Sequence, residues 1–257
     1  MDLDRFEVFT LVLFRMSGLF LSAPLFGSRD IPVPVKAGFS ALCALVVLPY
    51  VPFDPAALPR DLGPYVAFVA AELGVGLTLG FAASLFFSAF QLAGQHVGQQ
   101  MGLGMADVID PFSESEVSVI GQIQFFIALF VWSTAGGHRM LLEAVAGSFG
   151  QVPLGAFRPT PVLVGLLSDS FGGLLALSFK IAAPALAALF LSTVALGFVA
   201  RAVPQMNVLL LSFPLQIGLG MGVLVWTLPA AVGFMLTACG GLAGGASRLL
   251  AAMVPHG

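Results

Sequence analysis

The most constraining feature of this sequence is a run without any charged residue that extends from Val208 to Ser247. A second apolar segment, from Val162 to Ala200, carries only Asp169 and Lys180 as charged residues. Both runs are longer than the roughly 20 apolar residues that a helix needs to cross the hydrocarbon core of a bilayer. Segments of this kind indicate an integral membrane protein.

The composition of the whole chain agrees with that interpretation. Of its 257 residues, 58% are hydrophobic and only 9% are charged, whereas soluble domains have about 25% charged residues. This balance excludes a soluble enzyme and an intrinsically disordered chain. The net charge of −3 provides no basic surface for phosphates, which excludes a nucleic-acid-binding protein.

Prolines and charged residues divide the chain into hydrophobic segments. We expect an all-α, polytopic membrane protein with about six hydrophobic helical segments, some of them kinked or re-entrant, in a chain long enough for six or seven spans. The mixed stretch that begins at His138 is a candidate interfacial helix. The six segments are Phe6–Phe26, Val35–Val51, Tyr65–Phe90, Val117–Gly137, Val162–Ala200 and the final run to Ser247.

The fifth segment is too long for one perpendicular span. As a straight helix, Val162–Ala200 would extend about 58 Å, against about 30 Å for the hydrocarbon core. It must therefore break, kink, tilt or leave the bilayer, and Pro184 is where a kink is expected.

The sequence lacks the motifs of the common enzyme classes. It contains no His-Glu-x-x-His, no Gly-x-Ser-x-Gly and no phosphate-binding loop. The three histidines are far apart and have no partners at ligand spacing. We therefore expect no enzymatic activity, no cofactor and no metal site.

A glycine and glutamine pattern marks the middle of the chain. Glycine recurs every four residues, and glutamine recurs beside it with the same spacing, so a helix here would have one small face and one amide face. Small faces allow close helix packing in lipid, either within this chain's own bundle, against other subunits, or as a wall of a polar conduit. The residues are Gln91, Gly94, Gln95, Gly98, Gln99 and Gly102.

An acidic segment follows that pattern, between two apolar segments. It is either a plain exterior loop or a re-entrant, pore-facing loop, because polar backbone at membrane depth is tolerated only inside protein or against water. In the second case Met101, Met105 and Phe112 would seal a passage, although the methionines are also consistent with core filling. The remaining residues of this gate or plug loop are Asp107, Asp110, Pro111, Ser113, Glu114 and Glu116.

Three charged residues, Arg15, Glu72 and Lys180, fall within the apolar segments. Charges at such positions are costly and usually face partners or water. Three scattered groups do not form a chain for proton transfer, so structural ion pairing or an aqueous cavity is favoured.

Several motifs together resemble one family along residues 5 to 245. The principal one is Arg201-Ala-Val-Pro204-Gln205-Met206-Asn207, followed by Ser212-Phe213-Pro214-Leu215. Earlier motifs are Ala23-Pro24-Leu25-Phe26, Ile31-Pro32, Gly98-Gln99-Gln100-Met101-Gly102 and Asp110-Pro111. This combination resembles the R-type flagellar export-gate proteins, the flagellar biosynthetic FliR family, which is related to the T-type inner-membrane proteins of injectisomes.

The resemblance implies a function and a set of partners. In that family one R-type subunit assembles with several P-type and Q-type subunits into a helical export gate of the bacterial inner membrane, within the flagellar basal body. Larger export-gate and basal-body proteins surround the gate, unfolded flagellar subunits pass through it as transient substrates, and membrane lipid contacts its outer side. The R-type chain resembles a P-type fold joined to a Q-type fold and closes the assembly.

The same resemblance implies an internal organisation. The single subunit, residues 1–257, would consist of an N-terminal helical portion at 5–150, with its polar loop near 107–116, and a C-terminal helical hairpin portion at 151–257. The polar loop would help to plug the closed channel. In such a gate, not every hydrophobic segment has to cross the lipid bilayer.

Two alternative functions share many of these features. An injectisome gate subunit would have the same fold, but the Pro-Gln-Met-Asn element favours the flagellar branch. An autonomous polytopic transporter would show a substrate pocket near the membrane midplane and inverted repeats, and no matching half is visible in the sequence.

Overall fold

The structure is a computed structural model that describes residues 3–24, 26–27, 31–103, 118–205 and 207–254. In these ranges the backbone forms α-helices, two short 3₁₀ turns and connecting loops, with no β-strand. The predicted all-α class is confirmed. The helices described are α1 (Leu3–Ser22), α2 (Val33–Val47), α3 (Leu62–Gln100), α4 (Val119–Thr134), α5 (Gly137–Gln151), α6 (Pro161–Ala202) and α7 (Val208–Ala252).

The described part of each of the six predicted apolar segments contains a helix of its own, and α5 covers the predicted interfacial stretch. The largest difference is in α3, which continues past Phe90 to Gln100. Nothing between these residues stops a helix, since the stretch has no proline and glutamine is a good helix former.

Fewer helices can cross a membrane than the six or seven predicted. In the described part of the chain four are long and apolar enough, or five if α4 and α5, which meet at a bend of 68°, count as one span. The difference has a physical reason. Helix α1 contains Arg5, Glu7 and Arg15, and α4 has only 16 residues. The four are Val33–Tyr50, Leu62–Gln100, Pro161–Ala202 and Leu210–Ala252.

Three helices are about twice as long as the membrane is thick. Helices α3, α6 and α7 have 39, 42 and 45 residues, which corresponds to about 58, 63 and 68 Å. Helix α6 continues without a break through Pro184, and α7 continues through Pro214 and Pro229. Because α6 does not break, its length must be accommodated by tilting, bending or leaving the bilayer.

The chain divides into two compact units that are not contiguous in sequence. Unit 1 comprises Met1–Phe86, Ser133–Phe171 and Ala238–Gly257, and unit 2 comprises Phe87–Trp132 and Gly172–Thr237. Helices α3, α6 and α7 each contribute one part to unit 1 and another part to unit 2.

Helix α1 forms the centre of the unit 1 core. Its residues Val8, Leu11 and Leu19 have no exposed surface and belong to a cluster with apolar residues of α3, α5 and α7. Glycines bring α1 close to α3, because a Cβ at Gly18 would lie 2.6 Å from the carbonyl oxygen of Leu73 and one at Gly76 would overlap the carbonyl oxygen of Arg15. The two helices therefore pack backbone against backbone.

Candidate functional site

The glycine and glutamine pattern lies on the last part of α3, within unit 2. Gly94 is buried against α4, where an added Cβ would lie 2.6 Å from the carbonyl oxygen of Ile120 and 2.7 Å from Cα of Gly121. An added Cβ at Gly98 would lie 2.8 Å from Oγ of Ser118. The small face of α3 is thus occupied by α4 of the same chain.

The glutamines beside this small face are more accessible. Gln91 and Gln95 are half-buried and Gln99 is exposed. Contacts of this stretch with other subunits or with a passing chain stay a prediction, and the amide side chains are the groups available for them.

Gly102 differs from the two glycines before it, because it ends the helix. Its φ is +82°, a left-handed conformation that favours glycine. The amide of Gly102 donates to the carbonyl of Gln99 at 3.0 Å, and the amide of Leu103 donates to the carbonyl of Gly98 at 3.1 Å. These two hydrogen bonds form a Schellman motif. The four-residue spacing in the sequence does not reveal this role.

Met101 is completely buried at the end of α3. Its side chain lies against Gly220 of α7, where an added Cβ would overlap it. The other residues of the predicted gate or plug loop lie outside the described residues. They are Met105, Asp107, Asp110, Pro111, Phe112, Ser113, Glu114 and Glu116.

Unit 2 also contains buried polar atoms without a hydrogen-bond partner in the structure. They are Nε2 of His96, Oε1 of Gln124 and Oγ of Ser192, on α3, α4 and α6 respectively. The His96 ring stacks on Phe179 with 4.8 Å between ring centroids. A buried polar atom left unpaired costs about 1–3 kcal/mol, so these positions suit water or a group supplied by another molecule.

A buried ion pair occupies unit 1, and its two residues were each singled out in the sequence. Nε of Arg15 lies 2.6 Å from Oε2 of Glu72, and neither side chain is exposed. Arg15 also donates to Oγ of Ser148 at 2.8 Å and to the carbonyl of Val152 at 3.0 Å. The amide of Gly155 donates to Oε1 of Glu72 at 2.9 Å.

This network joins α1, α3, α5 and the turn after α5. The Arg15 guanidinium carbon also lies 4.0 Å from the centroid of the Phe149 ring. Since both charged groups have several partners, the arrangement fits the predicted structural ion pairing. Lys180, the third charge singled out, is exposed on α6.

The described prolines of the sequence motifs, with Arg201, Gln205 and Asn207, lie at helix ends or on exposed surface. Pro24 follows α1, and Pro32 is the residue before α2. Arg201 is exposed in the last turn of α6, and Pro214 is exposed within α7. Pro204, Gln205 and Asn207 form the exposed connection to α7, where the side-chain oxygen of Asn207 accepts from the amide of Leu210 at 3.4 Å.

In the described part of the chain, no three His, Cys, Asp or Glu residues are grouped so that they could hold a metal ion. Unit 2 presents amide, hydroxyl and imidazole groups, which can exchange hydrogen bonds with water or with a peptide backbone without selecting one sequence.

Comparison with known proteins identifies the family. The family described as "Bacterial export proteins, family 1" matches residues 6–241. The chain belongs to this family. The predicted family resemblance is confirmed by the relatives as well.

Several relatives of this chain are flagellar proteins. It is 33% identical to the flagellar biosynthetic protein FliR of Bacillus subtilis over 226 residues, which cover 87% of this chain and 86% of that protein. It is 29% identical to the FliR protein of Escherichia coli over 228 residues, covering 86% and 84%. The Yop proteins translocation protein T of Yersinia pestis is 28% identical over 211 residues, covering 81% and 80%.

Proposed function

We propose that this chain is a structural, channel-forming subunit of the flagellar type III protein export gate. It closes the gate assembly in the bacterial inner membrane, within the flagellar basal body, and has no catalytic role. The observation that carries this proposal is the family match over residues 6–241, with FliR relatives that align along more than 80% of their own length.

Exposed apolar surface supports a hetero-oligomer. Helix α7 extends about 68 Å, whereas lipid covers about 30 Å of a helix. Only 11% of the most apolar stretch of α7 is buried. Leu210 and Trp226 are 76% and 80% exposed. Lipid can therefore cover about half of this helix, and other protein is needed for the rest.

The partners under this proposal are P-type and Q-type gate subunits, with larger export-gate and basal-body proteins around them. The bent pair α4 and α5 and the long helices α6 and α7 provide the apolar surfaces for these contacts. The division into an N-terminal portion at 5–150 and a C-terminal hairpin portion at 151–257 belongs to this proposal.

The conduit for unfolded substrates requires walls without strong specificity. Gln91, Gln95 and Gln99 offer amides, and the only charged residues in the described part of unit 2 are Lys180 and Arg201. An unfolded chain can move along such a wall without being held by fixed charges. Energy for export comes from other components.

Closure of the resting gate is assigned to the segment 107–116. Phe112 in this segment and Met105, which precedes it in the sequence, would exclude water from the channel, because apolar constrictions block ions by dewetting. Deleting Asp110–Ser113 is expected to raise ion leakage through the resting gate, measured as dye or ion flux across the membrane. Unchanged leakage and unchanged export in the deletion variant would refute this assignment.

The gate assignment is tested by native mass. The tagged chain is extracted in mild detergent from cells that also express the P-type and Q-type partners. A large complex with one copy of this chain and several copies of each partner supports the proposal. A lone chain or a homo-oligomer, with both partners present, would instead favour an autonomous transporter.

A gate of the injectisome type is the second candidate, because the Yop translocation protein T aligns along 80% of its length. The exported proteins separate the two candidates. Secretion of rod, hook or filament subunits supports the flagellar gate, and secretion of effectors alone supports the injectisome gate.

A further inference from the structure

A cleft lies in unit 1, where α6 begins and α7 ends. The amide of Arg158 donates to the carbonyl of Met253 at 3.0 Å, and the hydroxyl of Thr160 donates to the carbonyl of Ala252 at 2.6 Å. These two hydrogen bonds hold the beginning of α6 against the end of α7. The cleft has a volume of about 470 Å³, which is within the range of small-ligand pockets. Its apolar lining consists of Val162, Leu166, Ala251, Ala252 and Val254.

The two polar side chains that line the cleft, Thr160 and Arg248, differ in what they can still bind. The Thr160 hydroxyl donates to Ala252 and accepts from the amide of Leu163 at 3.1 Å, so the fold already uses it. Arg248 donates only through Nε, to the carbonyl of Gly244 at 3.2 Å. Among the described residues, no acceptor and no acidic side chain pairs with its two terminal nitrogens. Their N–H groups are therefore available to a ligand.

The position of Arg248 favours an anionic ligand. Both helices are long and apolar enough to cross a membrane, as Pro161–Ala202 and Leu210–Ala252. The bond to Gly244 holds the guanidinium beside the last turns of α7 rather than beyond its end. A charge beside the apolar surface of a span is costly unless it is paired or reaches water. The partial charges of the two adjacent helix ends have opposite signs and offset each other, so Arg248 makes the cleft positive, and Arg158 adds a second exposed cation nearby.

We propose that this cleft binds a phospholipid with an anionic headgroup. The terminal nitrogens of Arg248 donate to phosphate oxygens, which the planar guanidinium can bind through two parallel hydrogen bonds. An acyl chain lies against Val162, Leu166 and Val254. Basic pockets between transmembrane helices bind lipid headgroups in this way.

The lining of the cleft argues for this ligand over others. It contains no acidic side chain that could receive the ammonium group of a zwitterionic lipid. A peptide would leave backbone groups unpaired there, because the Thr160 hydroxyl is already engaged. The inference goes beyond the proposed export function, since it requires only that these helices lie in a membrane.

The test compares Arg248→Gln with Arg60→Gln in the full chain, extracted from bacterial membranes in mild detergent with any partners that accompany it. Arg60 is the matched control, because it is an exposed arginine of the loop between α2 and α3 and does not line the cleft. Phosphatidylglycerol is titrated in mixed micelles, and bound lipid is counted by native mass spectrometry. We expect Arg248→Gln to weaken binding about tenfold, since it removes charge-assisted hydrogen bonds. Arg60→Gln should bind like the unmodified chain, and phosphatidylcholine should bind more weakly than phosphatidylglycerol.

Two further variants test the other parts of the site. Ala251→Phe fills the cleft at an exposed position and keeps Arg248, so it should also weaken phosphatidylglycerol binding. Arg248→Lys keeps the charge but loses the paired N–H groups, and should bind between Arg248→Gln and the unmodified chain. Equal thermal unfolding of all variants shows that the fold is intact.

Three results would overturn the inference. Equal lipid binding by Arg248→Gln and Arg60→Gln would show that Arg248 does not hold the headgroup. Inorganic phosphate that displaces the lipid at equal concentration would show an anion site without an acyl chain. A complex that binds no phosphatidylglycerol would show that a partner covers the cleft. None of these results bears on the export function, which the native mass of the complex tests separately.

Discussion

The two compact units differ in how they hold polar groups. In unit 1, Arg15 and Glu72 are fully buried and share a network with Ser148, Val152 and Gly155. In the described part of unit 2 the only charged residues are Lys180 and Arg201, and both are exposed. Unit 2 instead buries polar atoms that have no partner in the structure, on three different helices.

This difference shows two uses of polarity in an apolar chain. In unit 1 the buried Arg15 and Glu72 have hydrogen-bond partners within the fold, so removing either partner of the ion pair would leave an uncompensated buried charge. In unit 2, by contrast, the buried atoms Nε2 of His96, Oε1 of Gln124 and Oγ of Ser192 have no hydrogen-bond partner in the structure. Under the proposed function, we therefore expect unit 2 rather than unit 1 to contribute to the wall of the conduit.

The largest effect should come from breaking the network of unit 1. Glu72→Leu leaves the Arg15 guanidinium buried without its counter-charge, and we expect it to lower the free energy of unfolding by about 3–5 kcal/mol. The measurement is denaturant unfolding in detergent. The double variant Arg15→Met/Glu72→Leu should recover part of this loss, and a double variant no more stable than the single one would contradict the account.

A smaller loss is expected from the close helix contact of unit 2. Gly94→Ala places a methyl group against the backbone of α4 at Ile120 and Gly121, which should cost about 1–3 kcal/mol of unfolding free energy. Gly197→Ala is the matched control, because that glycine of α6 faces open space. If both variants are equally stable in thermal unfolding, α4 does not pack on the small face of α3.

Removing a single polar side chain should have different effects on stability in the two units. Ser148→Ala takes a hydrogen bond from the buried Arg15 and should cost about 1–3 kcal/mol. Gln124→Leu removes an amide whose oxygen has no partner in the structure, so it should leave stability unchanged or raise it by up to about 1–3 kcal/mol. The unfolding of the isolated chain measures both. A larger loss for Gln124→Leu than for Ser148→Ala would reverse the comparison.

The smallest effect is expected at the exposed ion pair of α5. Nε of Arg139 lies 3.3 Å from Oε1 of Glu143, and the two side chains are 77% and 65% exposed. Glu143→Ala should change the free energy of unfolding by about 0.5 kcal/mol or less. A loss near that of Glu72→Leu would show that burial does not explain the strength of the unit 1 network.

Much of the fold was predictable, because long apolar runs in a membrane protein usually form helices. The described part of each of the six predicted segments contains a helix. The length of the Val162–Ala200 run already indicates a helix longer than one membrane span. The continuation of α3 to Gln100 was not predictable from hydropathy, because the glutamines end the apolar run although they are compatible with a helix. In the described part of the chain, fewer helices than predicted are long and apolar enough to cross a membrane, because α1 contains charged residues and α4 is short.

The contacts of the predicted site residues do not follow from their spacing in the sequence. Gly94, Gly98 and Gly102 share one spacing, yet the first two pack on α4 and the third ends α3 with a positive φ. The pairing of Arg15 with Glu72 joins residues 57 positions apart, which no local pattern reveals. The contact of Met101 with Gly220 likewise depends on tertiary packing alone.

Secretion of flagellar subunits tests the central claim most directly. The gene for this chain is deleted in its own bacterium, and hook and filament proteins in the culture medium are quantified with and without a plasmid copy. The account predicts that secretion is lost on deletion and restored by the plasmid, while the flagellar subunits are still synthesised in the cell. Normal secretion in the deletion strain would contradict the assignment of this chain to the flagellar export gate.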